Sequence, residues 1–175
     1  IQASNKKLYG YLTYGGNNQR GSVFEFDPAT KTKKIIAHLA DSMGISVIGN
    51  LFEYVPNKLL FVTKDLGAGN DGKLYQLDIT TGNLSLLYNF NTKDHYERRE
   101  FAPEGSFTLA SNGKIYCFSE AMGVTVSEID PLTASISTKH VSLTGDYFFN
   151  GGFVEGSNGK FYGSTWAKGR SFINS

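Results

Sequence analysis

The segment Asp65-Leu66-Gly67-Ala68-Gly69-Asn70-Asp71-Gly72 offers the best set of hard oxygen donors in this 175-residue chain. Asp65 and Asp71 supply carboxylates, Asn70 an amide oxygen, and the glycines a backbone able to fold around an ion. That donor chemistry suits Ca²⁺. The terminal bidentate Glu of an EF-hand loop is missing, as is the tandem repetition of calcium β-rolls. The equivalent segment Gly15-Gly16-Asn17-Asn18 carries no acid. Calcium on Asp65, Asn70 and Asp71 therefore stands against a plain glycine-rich hairpin loop, and no other cofactor is expected. The most polar segment is Asp94-His95-Tyr96-Glu97-Arg98-Arg99-Glu100. It reads as a solvated loop or as part of a binding face, with Asp94, Tyr96 and Arg98 as contact residues, because loops on a rigid scaffold carry specificity. Trp166, the only Trp, follows Gly163-Ser164-Thr165; its indole could stack on a sugar or fill the core of a repeat.

Other reactive residues point away from catalysis. Asp27-Pro28-x-Thr30, Asp78-x-x-Thr81 and Asp130-Pro131-x-Thr133 share one form. An Asp accepts from backbone amides two residues on, and Pro fixes φ at the next position, so these read as turn builders rather than as a converging carboxylate ring. His38, His95 and His140 show no His-x-x-x-His or Cys/His spacing, which disfavours zinc. The single cysteine, Cys117, allows no internal disulfide and sits in a predicted strand as a small apolar residue. There is no Gly-x-Ser-x-Gly elbow, P-loop or dinucleotide fingerprint. Lys plus Arg number 17 against 16 Asp plus Glu, which argues against nucleic acid or an anionic membrane as partner. No run approaches the roughly 18 apolar residues that cross a bilayer. The chain shows no signal-peptide pattern and opens on Ile1, compatible with removal or omission of an N-terminal segment.

The elements that must position these residues recur. Lys7-Leu8-Tyr9-Gly10, Leu59-Leu60-Phe61, Lys114-Ile115-Tyr116 and Lys160-Phe161-Tyr162-Gly163 open four repeats, and Phe26-Asp27-Pro28, Leu77-Asp78-Ile79 and Ile129-Asp130-Pro131 follow three of them. Tyr9 to Asp27 and Leu60 to Asp78 are both 18 positions, and the three aspartates are 51 and 52 apart. Aromatic residues and 20 glycines, without helical periodicity, give an all-β profile. Short strands are expected at 7–14, 22–26, 33–39 and 49–55, then 58–63, 73–77, 84–89 and 106–110, then 113–119, 124–129, 136–141 and 149–155, with a further repeat opening at 157. A strand-rich period of about 50 residues predicts a β-propeller-like fold of four-stranded antiparallel blades. We read residues 1–175 as one repeat domain, with blades at 5–55, 56–110 and 111–156 and a partial blade at 157–175. About 3.5 blades are too few for an ordinary closed ring. Each blade shields its faces only against neighbours, so an open end is completed by further blades of the same or another chain, or by closure between the termini. The first of these, a segment of a longer propeller, is favoured.

At Leu8-Tyr9-Gly10, Tyr14-Gly15-Gly16 and Gly21-Ser22-Val23-Phe24-Glu25-Phe26-Asp27-Pro28, restated at Phe161-Tyr162-Gly163-Ser164-Thr165-Trp166, the chain resembles the GloVer-type tandem repeat of secreted bacterial proteins. Repeats two and three keep the spacing without the Tyr-Gly pair. The resemblance implies a propeller-like, exported or surface-displayed protein and transfers no catalytic residues. The function expected is a non-catalytic binding module that grips a protein or glycan through rim loops, extracellular or at the cell surface. The alternatives are a fragment of a propeller-fold carbohydrate hydrolase or lyase, which needs paired carboxylates among Asp65, Asp71, Asp94, Glu97 and Glu100, and a structural spacer or assembly element.

Overall fold

The computed structural model describes residues 1–44, 46–64, 72–90, 107–120, 124–133, 135–141, 147–149, 152, 154–163 and 165–167. Among them there is no α-helix; fifteen strands and one 3-10 turn, Asp41–Met43, carry the fold. The first sheet is β1(Leu8–Leu12), β2(Ser22–Asp27) and β3(Thr32–His38), in that order and antiparallel. The second is β4(Ser46–Val55), β5(Lys58–Lys64), β6(Gly72–Asp78) and β7(Leu84–Asn89). The third is β8(Thr108–Leu109), β9(Ile115–Glu120), β10(Val124–Asp130) and β11(Ser135–Val141). Two short antiparallel pairs follow: β12(Tyr147–Phe149) with β15(Thr165–Ala167), and β13(Val154–Glu155) with β14(Phe161–Tyr162).

Most strands fall where the alternation and turn residues put them, but the one expected at 149–155 is replaced by β12, paired with β15, and β13, paired with β14, and the grouping of strands is offset by one. Residues 49–55 read as the last strand of the first repeat, yet β4 hydrogen-bonds to β5 and opens the second sheet. Residues 106–110 behave likewise, with β8 on β9. In the first sheet that leading place is held by one bridge, Gln2 to Leu8. Four positions thus share one register, each opposite the residue after the strand lysine: Gln2 faces Leu8, Glu53 faces Leu59, Leu109 faces Ile115 and Glu155 faces Phe161. Four residues separate each from its lysine, and the last of the four is left-handed every time, at Lys6, Asn57, Gly113 and Gly159 with φ between 67° and 76°.

The sheets stack because neither face of a central sheet is polar. In β5 Leu59, Leu60, Phe61 and Val62 are all essentially inaccessible. Successive strand residues point to opposite faces, so Leu59 and Phe61 pack toward the first sheet, with Tyr9, Val23, Ala37 and Leu39, while Leu60 and Val62 pack toward the third, with Ile115, Cys117 and Ile129. A continuous apolar run is the pattern of a strand buried on both sides. Within the first sheet the Tyr-Gly pair has a packing reason. A side chain on Gly10 would place its Cβ 2.5 Å from the Phe24 ring, which lies across the strand and carries the Lys33 ammonium 4.7 Å from its centroid.

Candidate functional site

The chain's turns divide between two rims. One carries the short turns that precede β1, β5, β9 and β14 and the Asp turns after β2, β6 and β10. The other, the long-connection rim, holds the opposite strand ends: Leu12 and Ser22 with residues 13–21 between them, Lys64 and Gly72, and Asn89.

On the short-turn rim each aspartate does two jobs. Asp27 Oδ1 accepts from the N–H groups of Ala29 (2.9 Å) and Thr30 (3.3 Å). Asp78 Oδ1 accepts from Thr80 and Thr81, and Asp130 Oδ1 from Leu132 and Thr133. The other oxygen faces the strand lysine: Lys58 lies 2.5 Å from Asp78 Oδ2 and Lys114 2.6 Å from Asp130 Oδ2. These bonds hold the Asp78 carboxyl well below the usual range, and Lys114 followed by the Leu132 amide lowers Asp130 to about 2. Oxygens spent in this way build turns, as expected, and leave little for a metal or an acid–base step.

A second polar row crosses the sheets two pairs further in. Glu25 is buried; its carboxylate accepts from Lys7 Nζ at 2.7 Å and from Tyr9 Oη at 2.7 Å, and Lys34 Nζ stands 3.3 Å away. Burial pushes this carboxyl up, but the Lys7, Tyr9 and Lys34 donors outweigh it and hold it below its ordinary value. Burial, then the adjacent carboxylate, raises the Tyr9 hydroxyl to about 12, against a lowering bond from Asn5. The third sheet repeats the motif with Asn112, Tyr116 and Glu128. The second places Leu60 and Gln76 in the same register, and Gln76 Oε1 accepts from Tyr54 Oη instead. A perturbed, buried carboxylate is a candidate site only when it has capacity left for a substrate. Glu25, ringed by three donors of its own chain, is a structural anchor.

A third polar device joins neighbouring sheets. Ser4, in the turn before β1, donates its N–H to Glu53 Oε2 (2.6 Å) and its hydroxyl to Glu53 Oε1 (2.9 Å). Ser111 grips Glu155 in the same way, at 2.7 and 2.8 Å.

The residues singled out for binding fall elsewhere. Asp94, Tyr96 and Arg98, and Asp65, Asn70 and Asp71, lie outside the described residues, as do Glu97 and Glu100. Trp166 sits in β15 opposite Phe148. Among the described residues no three His, Cys, Asp or Glu come together as a metal group. On the long-connection rim, His38 Nδ1 accepts from the Asn17 N–H at 3.3 Å, and Arg20 pairs with Asp41 at 2.9 Å. Cys117 is fully buried in the second core, and that burial pushes its thiol up to about 12, an inert state. The sequence reading missed the Ser–Glu grips and the Tyr–Glu pairs. The recurring lysine two residues before Tyr9, Leu60, Tyr116 and Tyr162 was their one visible signal.

No protein-family model matches the chain, and no curated protein does. Among solved structures it is similar to the crystal structure of TolB from Acinetobacter baumannii, with a TM-score of 0.51 and 14% identity over 93% of this chain and 38% of that one. The fold is β-propeller-like. At that identity the likeness speaks for architecture alone, and this chain spans 38% of the length of that structure. Among the described residues, no helix is long and apolar enough to cross a membrane.

Proposed function

We propose that this chain is part of a bacterial extracellular or cell-surface propeller and acts as a non-catalytic binding module, gripping a protein or glycan through its long-connection rim. One observation carries the proposal: on the short-turn side the carboxylates Glu25, Asp78, Glu128 and Asp130 are engaged by lysines and tyrosines of the fold itself. That favours the longer connections, whose sequence includes Asp94, Tyr96 and Arg98, as the source of contacts for a protein or glycan. The GloVer-type resemblance supports export. Near-balanced charge supports a neutral or mixed partner in place of nucleic acid. Calcium on Asp65, Asn70 and Asp71 would stiffen the connection between β5 and β6 beside that face.

The test is binding of the labelled protein to an array of defined bacterial and plant glycans and to protein-coated beads from the same cell surfaces, with and without Ca²⁺. The Tyr96→Ala/Arg98→Ala double variant is expected to lose roughly tenfold in affinity, the scale of one interface anchor. Thr30→Ala, on the opposite rim, is expected to bind unchanged. Release of new reducing ends from a bound polysaccharide would overturn the non-catalytic reading. Undiminished binding by the double variant would overturn the assignment of the rim.

A further inference from the structure

The Ser–Glu grips follow a rule, and the turn before β14 presents half of a further one. At two junctions between consecutive sheets the second residue of one turn meets the register position shared by Gln2, Glu53, Leu109 and Glu155 in the next sheet. Between the first and second sheets the pair is Ser4 and Glu53, and between the third and the last hairpin it is Ser111 and Glu155. Between the second and third sheets the two places hold Val55 and Leu109, so both halves are apolar together. A serine therefore occurs wherever the next sheet has a glutamate, and an aliphatic residue where it has none. The last turn, Gly156-Ser157-Asn158-Gly159, again presents serine. It keeps the geometry of the other turns: the Gly156 N–H donates to Lys160 O at 2.8 Å, and Asn158 Nδ2 donates to Tyr162 Oη at 2.9 Å, as Asn5 does to Tyr9 and Asn112 to Tyr116. No glutamate faces Ser157 among the described residues.

The surface beside Ser157 is shaped for a neighbour. Phe161 packs on Tyr116 of the third sheet, with ring centroids 4.5 Å apart, so Tyr162 and its cross-strand partner Val154 point the other way. They are 55% and 69% exposed, whereas Tyr9 and Leu60, in the register of Tyr162, are 2% and 0% exposed beneath the following sheet.

We propose that Ser157, Val154 and Tyr162 form a docking face for a further repeat of the same polypeptide, whose leading strand bears a glutamate gripped by the Ser157 N–H and hydroxyl. A second copy docking head to tail, or closure onto the first sheet, would bring Gln2 to this place. Gln2 has one carbonyl oxygen, and its amide nitrogen is already donated to Lys6 O. The serine grip spreads over two carboxylate oxygens at both observed junctions, so Gln2 does not complete it. The spacing of positions 2, 53, 109 and 155 puts the new glutamate 46 to 56 residues after Glu155, five residues ahead of a lysine. This inference stands apart from the binding role of the other rim.

The natural polypeptide, purified from its source, is sequenced by intact mass and peptide mapping, and its thermal unfolding is compared with that of Ser157→Ala, Ser111→Ala and Ser157→Thr variants. The expected sequence contains the glutamate and lysine at that spacing. Ser157→Ala and Ser111→Ala should then each lower Tm, by on the order of 3 °C, and Ser157→Thr, which keeps both donors, should restore it. A polypeptide that ends at Ser175, a continuation with another residue in the glutamate's place, or a Ser157→Ala protein that melts with the wild type while Ser111→Ala does not, would each overturn the proposal. None of these results depends on whether a glycan or protein binds.

Discussion

The first and second sheets meet differently from the second and third, although the same backbone register serves both. The first junction is edged by polar groups: the Tyr9–Glu25 pair, the Ser4–Glu53 grip and a bond from Tyr11 Oη to Gly49 O at 3.2 Å. The second is closed by hydrocarbon, with Phe52 and Phe107 in ring contact at 5.9 Å and Leu60, Ile115, Cys117 and Ile129 inaccessible. Where the first sheet has Tyr9 opposite Glu25, the second has Leu60 opposite Gln76. Where the first junction has Ser4 and Glu53, the second has Val55 and Leu109. The changes come in pairs because half a pair is costly. A buried carboxylate that loses its donor keeps its full desolvation penalty, while replacing both partners can be nearly neutral. The unit that repeats here is therefore a set of matched pairs on a fixed ladder.

The largest expected effect breaks one junction at a time from a single strand. Phe61→Ala should cost about 3–5 kcal/mol and Leu60→Ala about 2–5 kcal/mol, since each empties a fully buried site. The two residues face opposite ways, so hydrogen exchange should separate them: Phe61→Ala deprotects β1 and β2, and Leu60→Ala deprotects β9 and β10. Equal loss on both sides from either variant would mean that the sheets do not form separable junctions. Next in size is the buried pair. Tyr9→Phe should cost about 1–3 kcal/mol in urea unfolding by leaving Glu25 Oε2 without its donor. Tyr9→Leu combined with Glu25→Gln, which imports the second sheet's solution, should cost less than the sum of its parts in a double-mutant cycle. Alkali offers an independent check. With the folded hydroxyl raised to about 12 from an unfolded value near 10, Tyr9 contributes stability below pH 10 that fades between pH 10 and 12. The gap between wild type and Tyr9→Phe should narrow across that window.

The legible and illegible parts of this molecule divide by sequence distance. The turns at Asp27, Asp78 and Asp130 were readable because an Asp, the next two amides and a Thr are neighbours in the chain. The strand at 58–63 was readable because its apolar run is local. The grouping of strands was not, because a period fixes the spacing of repeats but not which strand begins a sheet; residues 49–55 close a repeat in sequence and open a sheet in space. The grips of Ser4 on Glu53 and Ser111 on Glu155 join residues 49 and 44 apart, and nothing about an exposed serine or glutamate marks it locally. The functional candidates Asp94, Tyr96 and Arg98 were chosen by polarity alone and lie outside the described residues.

A smaller effect should come from rewriting the second junction in the language of the first. Val55→Ser with Leu109→Glu builds a grip where the chain has none. Both side chains are over 40% exposed, so little packing is lost and the gain is that of a partly solvated charged hydrogen bond, about 1 kcal/mol. Each single variant should be neutral or slightly destabilising, and only the pair should raise the urea midpoint. A pair no better than its singles would mean that the shared register does not bring these positions together.

The subtlest test compares two turn aspartates that differ in their lysine. Lys114 binds Asp130 at 2.6 Å, whereas Lys7 is drawn to Glu25 and stands 3.9 Å from Asp27. Lys114 therefore favours the charged form of Asp130. Its folded value of about 2 lies below an unfolded value near 3.9, so it binds fewer protons folded than unfolded as pH falls through that range. The stability it supplies is complete above about pH 4 and gone near pH 2. Asp130→Asn should be less stable than wild type at pH 5 and should converge on it by pH 2 in urea titrations. Asp27→Asn should show a smaller difference at pH 5, because the first sheet has spent its lysine on Glu25. If Asp27→Asn cost as much as Asp130→Asn, the lysine's placement would be irrelevant and the backbone amides alone would account for both turns.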